Sequence, residues 1–158
     1  MLYLKESENK EFLKAKDYAY RLLSYRQRST GEITQRLKAK GFTSKAIAKT
    51  VKYLSELDYL NDENFARAWI RAKMRLKPSG WPLLRYQLRQ KGVAESITEK
   101  VISDFAGQYD EIAVAGKLAA TRRPRYKGLE PLKLKRRLYD YLRRRGFSQE
   151  AILQAIEK

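Results

Sequence analysis

Three times along this chain a helix-like segment ends in the same way: LKAKGF at 37–42, LRQKGV at 88–93 and LRRRGF at 142–147. Each stretch runs leucine, cation, variable residue, cation, glycine, apolar residue. Four residues before each leucine stands another aliphatic side chain, so the pairs Ile33/Leu37, Leu84/Leu88 and Leu138/Leu142 each lie on one face of a helix. Gly41, Gly92 and Gly146 suit the position just past a helix end, where the backbone turns left-handed and a Cβ would be strained. Cations in the last turn complement the negative end of the helix dipole. Phe42, Val93 and Phe147 are then placed to fold back on the helix just ended. No chain can repeat this pattern at intervals of 51 and 54 residues without repeating a structural unit.

The unit has three helices. After each glycine a further periodic run begins, Ile47/Val51, Ile97/Val101 and Ile152/Ile156, with Thr43 and Ser148 as N-caps of the first and third. Before each pair comes another helix. AKDYAYRLLSY (15–25) carries Ala15, Tyr18, Ala19, Leu22 and Leu23 on one stripe, and Ser29 with Glu32 forms a capping box for the helix that follows. NDENFARAWIRAKM (61–74) opens at an Asn cap and is expected to bury Phe65, Ala68, Trp69 and Ala72. YDEIAVAGKLAATR (109–122) supplies Ile112, Ala115, Leu118 and Ala119. The connections RLKPSGWP (75–82) and RRPRYKGLEP (122–131) hold all four prolines and break the helices. Strand alternation and hairpin dipeptides are lacking. The expectation is an all-α chain of three tandem three-helix, helix-turn-helix-like repeats in an elongated, curved array. Residues 1–13 are a poorly ordered N-terminal segment, and the repeats span 14–60, 61–106 and 107–158. A unit of about fifty residues has little core, so stacking is expected to bury the outer faces. Trp81 is expected to plug the junction between repeats one and two.

Charge narrows the function. Thirty-five Lys and Arg against eighteen Asp and Glu give a net +17, and the segments 1–60, 61–105 and 106–158 each hold an excess, +6, +4 and +7. A field spread along the whole molecule suits a long polyanion or an acidic protein surface better than a small anion. With neither Cys nor His, disulfides, thiolate metal sites and every His-activated nucleophile are excluded. There is no phosphate-binding glycine loop of the G-x-x-x-x-G-K-[ST] kind. Asp58, Asp62 and Glu63, and likewise Asp104, Asp110 and Glu111, are close in sequence, and a carboxylate-only metal nuclease can be built from such groups. Each set lies at a helix start, where acids belong. The reading is a protein that is not an enzyme, with no cofactor and no metal site. No apolar run is long enough to span a membrane, and MLYLKESENKEF lacks the form of a signal peptide, so a cytoplasmic monomer is expected.

The cations at matching positions before the three glycines are the first binding candidates: Lys38 and Lys40, Arg89 and Lys91, Arg143 and Arg145, with Arg144 between the last two. Three stacked units would set them in a row facing a repeating anionic partner. Arg122, Arg123, Arg125 and Lys127, beside Tyr126 and followed by Lys133, Lys135, Arg136 and Arg137, form a second cluster in which phosphate and base stacking could be met together.

The segments AYRLLSYRQRSTGEITQRLKAKGF (19–42), LSELDYLNDENFARAWI (54–70), LLRYQLRQKGV (83–93) and YLRRRGFSQEAI (141–152), in this order and spacing, resemble the RecX family of bacterial regulators of the RecA recombinase. The resemblance covers the chain from about Ala15 onward and is weakest over 106–137. It implies three three-helix repeats that bind along the RecA–DNA filament. There they restrain its ATPase, strand-exchange and coprotease activities, and so act on recombinational repair and the SOS response. Weak, non-specific contact with single- and double-stranded DNA is expected as well. The rival from another class is a stand-alone helix-turn-helix DNA-binding protein. Its recognition helix should offer base-reading side chains at its start, whereas the final helices here open TSKAIAKT, AESITEK and SQEAILQA.

Overall fold

In the computed structural model, residues 2–157 are described, with side chains from Glu6 onward. Nine α-helices follow one another: α1 (Leu2–Tyr25), α2 (Thr30–Ala39), α3 (Ser44–Glu56), α4 (Asp62–Leu76), α5 (Trp81–Gln90), α6 (Glu95–Ala106), α7 (Glu111–Arg122), α8 (Pro131–Arg144) and α9 (Gln149–Glu157). A 3₁₀ turn at Arg123–Tyr126 follows α7. Among the described residues there is no strand, and no helix is long and apolar enough to cross a membrane. Within each trio the first and third helices pack together and the second leans on the third.

Local sequence explains where the second helices stop. Gly41, Gly92 and Gly146 have φ of +90°, +75° and +73°. In all three, the amide two residues past the cap returns to the leucine: Phe42 N–H to Leu37 O at 3.2 Å, Val93 to Leu88 at 3.1 Å and Phe147 to Leu142 at 3.3 Å. The glycine amide itself donates to Lys38, Arg89 or Arg143 O. This is the Schellman arrangement, three times over. The helix starts follow their caps too. The Ser29 side chain accepts from Glu32 N–H while Glu32 receives the Ser29 N–H, and Thr43, Asn61 and Asp110 cap α3, α4 and α7. Ser148 Oγ accepts from Ala151 N–H at the head of α9.

Each trio has a core of its own. Ala15, Ala19, Ile33, Leu37, Ile47, Leu54 and Leu60 make the first. Phe65, Ala66, Ile70, Leu88, Val93, Val101, Ile102 and Phe105 make the second, and Ala115, Ala119, Leu138, Leu142, Phe147, Ala151, Ile152, Ala155 and Ile156 the third. The molecule exposes 10681 Å², against about 8,200 Å² for a compact monomer of its mass, so the array is elongated.

Three expectations change. Residues 2–13 are no separate segment, because α1 is continuous to Tyr25, with Phe12 buried and Glu11 bonded to Thr43. The buried stripe of α4 is Phe65, Ala66 and Ile70, with Trp69 half-buried and Ala68 exposed. Ala66 and Ala68, two residues apart, carry the same weak apolar signal, so periodicity alone does not tell which of them faces inward. Among the described residues the apolar clusters of the three repeats stay separate and share no stacked face. The junctions are made instead by helix ends meeting head to tail.

Candidate functional site

The junctions decide which cations are available. At the first, the N-terminus of α2 meets the C-terminus of α5: the Ser29 hydroxyl donates to the Lys91 carbonyl, and Lys91 Nζ lies 3.1 Å from Glu32 Oε1. Arg26 grips both oxygens of the same carboxylate, Oε1 at 2.8 Å and Oε2 at 3.1 Å. Burial pushes the Glu32 pKa up, but the hydrogen bonds from Arg26, Lys91 and the Ser29 amide outweigh it and hold the group at about 2. Asp62, in the first turn of α4, receives the Thr30 N–H at 2.7 Å. At the second junction, α5 begins where α8 ends. Gly80 N–H donates to the Arg145 carbonyl at 3.0 Å, and the Arg145 guanidinium donates to Pro78 O. Glu111, in the first turn of α7, takes the Trp81 N–H at 2.9 Å and also caps Ser148. Tyr109, its phenol pushed up to about 12 chiefly by burial, donates to Ser79 O at 3.0 Å. Trp81 packs edge-on to Tyr109 at 5.0 Å. It therefore seals the junction of repeats two and three, not that of one and two. The sequence does not show which neighbour a connection will fold against.

The second helices thus follow one another end to end in the order α8, α5, α2, with the repeat-terminal cations at the joints. Lys91 and Arg145 are spent on those joints. Lys38, Arg89, Arg143 and Arg144 are exposed and form no ion pair among the described residues. Each second helix therefore presents an uncommitted cation two residues before its cap residue, once per repeat. Lys40 is exposed, with its ammonium 5.8 Å from the Tyr18 ring.

In the second cluster, Arg122 is half-buried, donating to Tyr126 Oη and lying 4.9 Å from the Tyr141 ring, so it fixes the turn after α7. Arg123 is half-buried, whereas Arg125 and Lys127 are exposed. Lys133, Arg136 and Arg137 on α8 line, with Leu129 and Asp140, an open groove of about 370 Å³. A third focus comes only with the fold. Lys73 and Lys91 sit 4.9 and 4.2 Å from the Trp69 ring, and burial together with Lys77, Lys91 and Arg145 lowers the Lys73 pKa. No sequence motif marks this cluster, because its members come from α4 and from the residues that cap α4, α5 and α8.

The acids flagged in the sequence are engaged in caps and ion pairs. Asp62 and Glu111 cap helices, Glu63 pairs with Arg67 and Lys100, Asp104 pairs with Arg67, and Asp110 caps α7. Among the described residues no three of them gather as a metal site. Arg26 and Arg28 serve the turn into α2, the latter donating to Leu22 O at 3.1 Å.

Sequence profiles of the first, second and third three-helix domains of RecX match residues 15–54, 61–102 and 109–156. Among curated proteins, the regulatory protein RecX of Chlorobium phaeobacteroides (strain BS1) is 37% identical over 145 residues, 92% of this chain and 93% of that protein. The regulatory protein RecX of Bacillus subtilis (strain 168) is 32% identical over 149 residues, 94% of this chain and 54% of that longer protein. The crystal structure of RecX from Lactobacillus salivarius shares the fold with a TM-score of 0.82 at 22% identity, covering 94% of this chain and 96% of that one.

Proposed function

The chain belongs to the RecX family, and from that premise we propose that it is a non-enzymatic regulator that binds the RecA–DNA filament and mainly inhibits its ATPase, strand exchange and coprotease activity. Through that contact it tempers recombinational repair and the SOS response, acting in the cytoplasm as a monomer. The observation that carries this reading is the recurrence of an uncommitted cation at the same position of each repeat, Lys38, Arg89 and Arg143, on helices joined end to end. A partner that repeats along its axis can meet such cations in turn, each contact weak and their sum appreciable.

Contact with DNA alone is weak and indifferent to sequence, because counterion release from phosphates carries no base information. The test is co-sedimentation with RecA on single-stranded DNA and a slowly hydrolysed nucleotide, alongside the filament's ATPase rate. Binding and inhibition are expected for the native chain. Reversal of Lys38, Arg89 and Arg143 to Glu is expected to remove both while helicity is kept. Full inhibition by that variant would refute the reading.

A further inference from the structure

The two joints of the array share one design, and the chain carries its components a third time. In the first helices, Glu11, Asp62 and Glu111 each stand four residues before a fully buried alanine, Ala15, Ala66 and Ala115. Asp62 and Glu111 each accept the first helical N–H of the preceding repeat's second helix, from Thr30 and Trp81. At the cap, Lys91 and Arg145 each accept through the backbone carbonyl and donate through the side chain to that same preceding segment. The glycine beyond the cap lets the two backbones touch. A Cβ on Gly31 would stand 2.6 Å from Gly92 Cα, and one on Gly146 would overlap the Leu83 side chain.

Repeat one repeats these parts at Glu11, Lys40, Gly41 and Phe42. Glu11 caps Thr43, as Glu111 caps Ser148, but Glu111 in addition serves the neighbouring Trp81. Tyr18 lies beneath Lys40 as Trp69 lies beneath Lys91. Yet a Cβ on Gly41 meets nothing within 4 Å, and Phe42 is half-buried where Val93 and Phe147 are each 4% exposed. Among the described side chains of α1 before Glu11, Glu8 turns away to Lys45 on α3.

We propose that the end of α2 formed by Glu11, Tyr18, Lys40, Gly41 and Phe42 is a docking surface for the N-terminus of a helix on a protein subunit of the filament. That helix carries a small residue at its N-cap, as Ser29 and Gly80 are at the two joints, a free N–H at its first position for Glu11 and a first-turn carboxylate for Lys40. The chain's own α2 start, Ser29-Thr30-Gly31-Glu32, is the pattern, because it occupies the equivalent surface at the end of α5. The dipoles meet head to tail, which favours the contact. A second copy of this chain does not fit. α8 starts at Glu130–Pro131, where proline lacks the N–H that Glu11 would take and Glu130 is bulky where the two joints have Ser29 and Gly80 at the N-cap.

The partner being a filament subunit rests on the proposed function, so the test separates the two. The chain has no cysteine, and Lys40→Cys therefore gives a unique attachment point for a benzophenone photo-cross-linker, with Arg143→Cys as the comparison. The probe is the RecA filament on single-stranded DNA. Cross-links from position 40 are expected on protein, within the first turn of a helix. Lys40→Glu should weaken filament binding about three- to tenfold while affecting naked-DNA binding no more than Lys45→Glu does. Cross-links from 40 to DNA or to mid-helix positions, or none while position 143 still cross-links, would overturn the docking surface. Failure of the native chain to sediment with the filament would instead overturn the functional reading, and the inference with it.

Discussion

Gly31 and Gly92, sixty-one residues apart, touch backbone to backbone: a Cβ built on Gly31 would lie 2.6 Å from Gly92 Cα and 2.8 Å from the Lys91 carbonyl oxygen. Gly31 sits in the first turn of α2, where alanine would ordinarily stabilise a helix by up to about 1 kcal/mol. Gly31→Ala is nevertheless expected to destabilise, by about 1–3 kcal/mol, because neither backbone can yield without opening the joint. Gly41→Ala, with φ +90° and no neighbour, should cost only about 1 kcal/mol. Urea denaturation of both variants measures this. A Gly31→Ala protein as stable as the native one would mean that the joint is looser than described.

Glu32 sets an acid limit. Its folded pKa, about 2, lies below the ordinary carboxylate value of 4.5. A depressed pKa contributes stability that is fully present above the unfolded pKa and lost as pH falls through the folded one. The contribution is on the order of 2–3 kcal/mol at neutral pH. Glu32→Gln should therefore be less stable at pH 7 and show a flatter loss of stability between about pH 5 and 2. Thermal melts across that range report it, and an unchanged acid profile would show that Arg26 and Lys91 do not hold the group.

Lys91 and Arg89, two residues apart, should separate cleanly. Lys91→Ala strips a half-buried carboxylate of a partner and uncovers Trp69, costing about 1–3 kcal/mol. Arg89→Ala, at an exposed position, should stay within about 0.5 kcal/mol of native stability and instead lower filament and DNA affinity. The reverse outcome in melts and binding isotherms would exchange their roles.

The cations at the end of α8 divide in the same way. Arg143→Glu with Arg144→Glu should leave the helical spectrum and melting temperature nearly unchanged while reducing inhibition of the filament ATPase and the salt dependence of DNA binding. Arg145→Glu should lower the melting temperature, since its guanidinium holds Pro78 O. If the Arg143/Arg144 variant inhibits fully but reversal of Arg125 and Lys127 does not, the contact lies in the connection after α7.

What the sequence determined is what short-range chemistry controls. Helices, their caps and the three left-handed glycines follow from residues within six positions of one another, and so does the cap that Asp110 gives α7, whereas Asp62 and Glu111 serve Thr30 and Trp81 of the preceding repeat. The family resemblance rests on the same local signals in their order. What only the tertiary structure decided is which of the matched cations are committed. Lys40 and Lys91 occupy the same place in the same motif, but Lys91 meets Glu32 from fifty-nine residues away and Lys40 has no such partner among the described residues. Arg145 likewise reaches Pro78 across sixty-seven residues, and Lys73 joins Lys91 only around Trp69. Pairings at that separation are fixed by how one repeat seats on the next. Local periodicity specifies that each repeat exists, while the close backbone approach at Gly31–Gly92 and Gly80–Gly146 specifies how the repeats join.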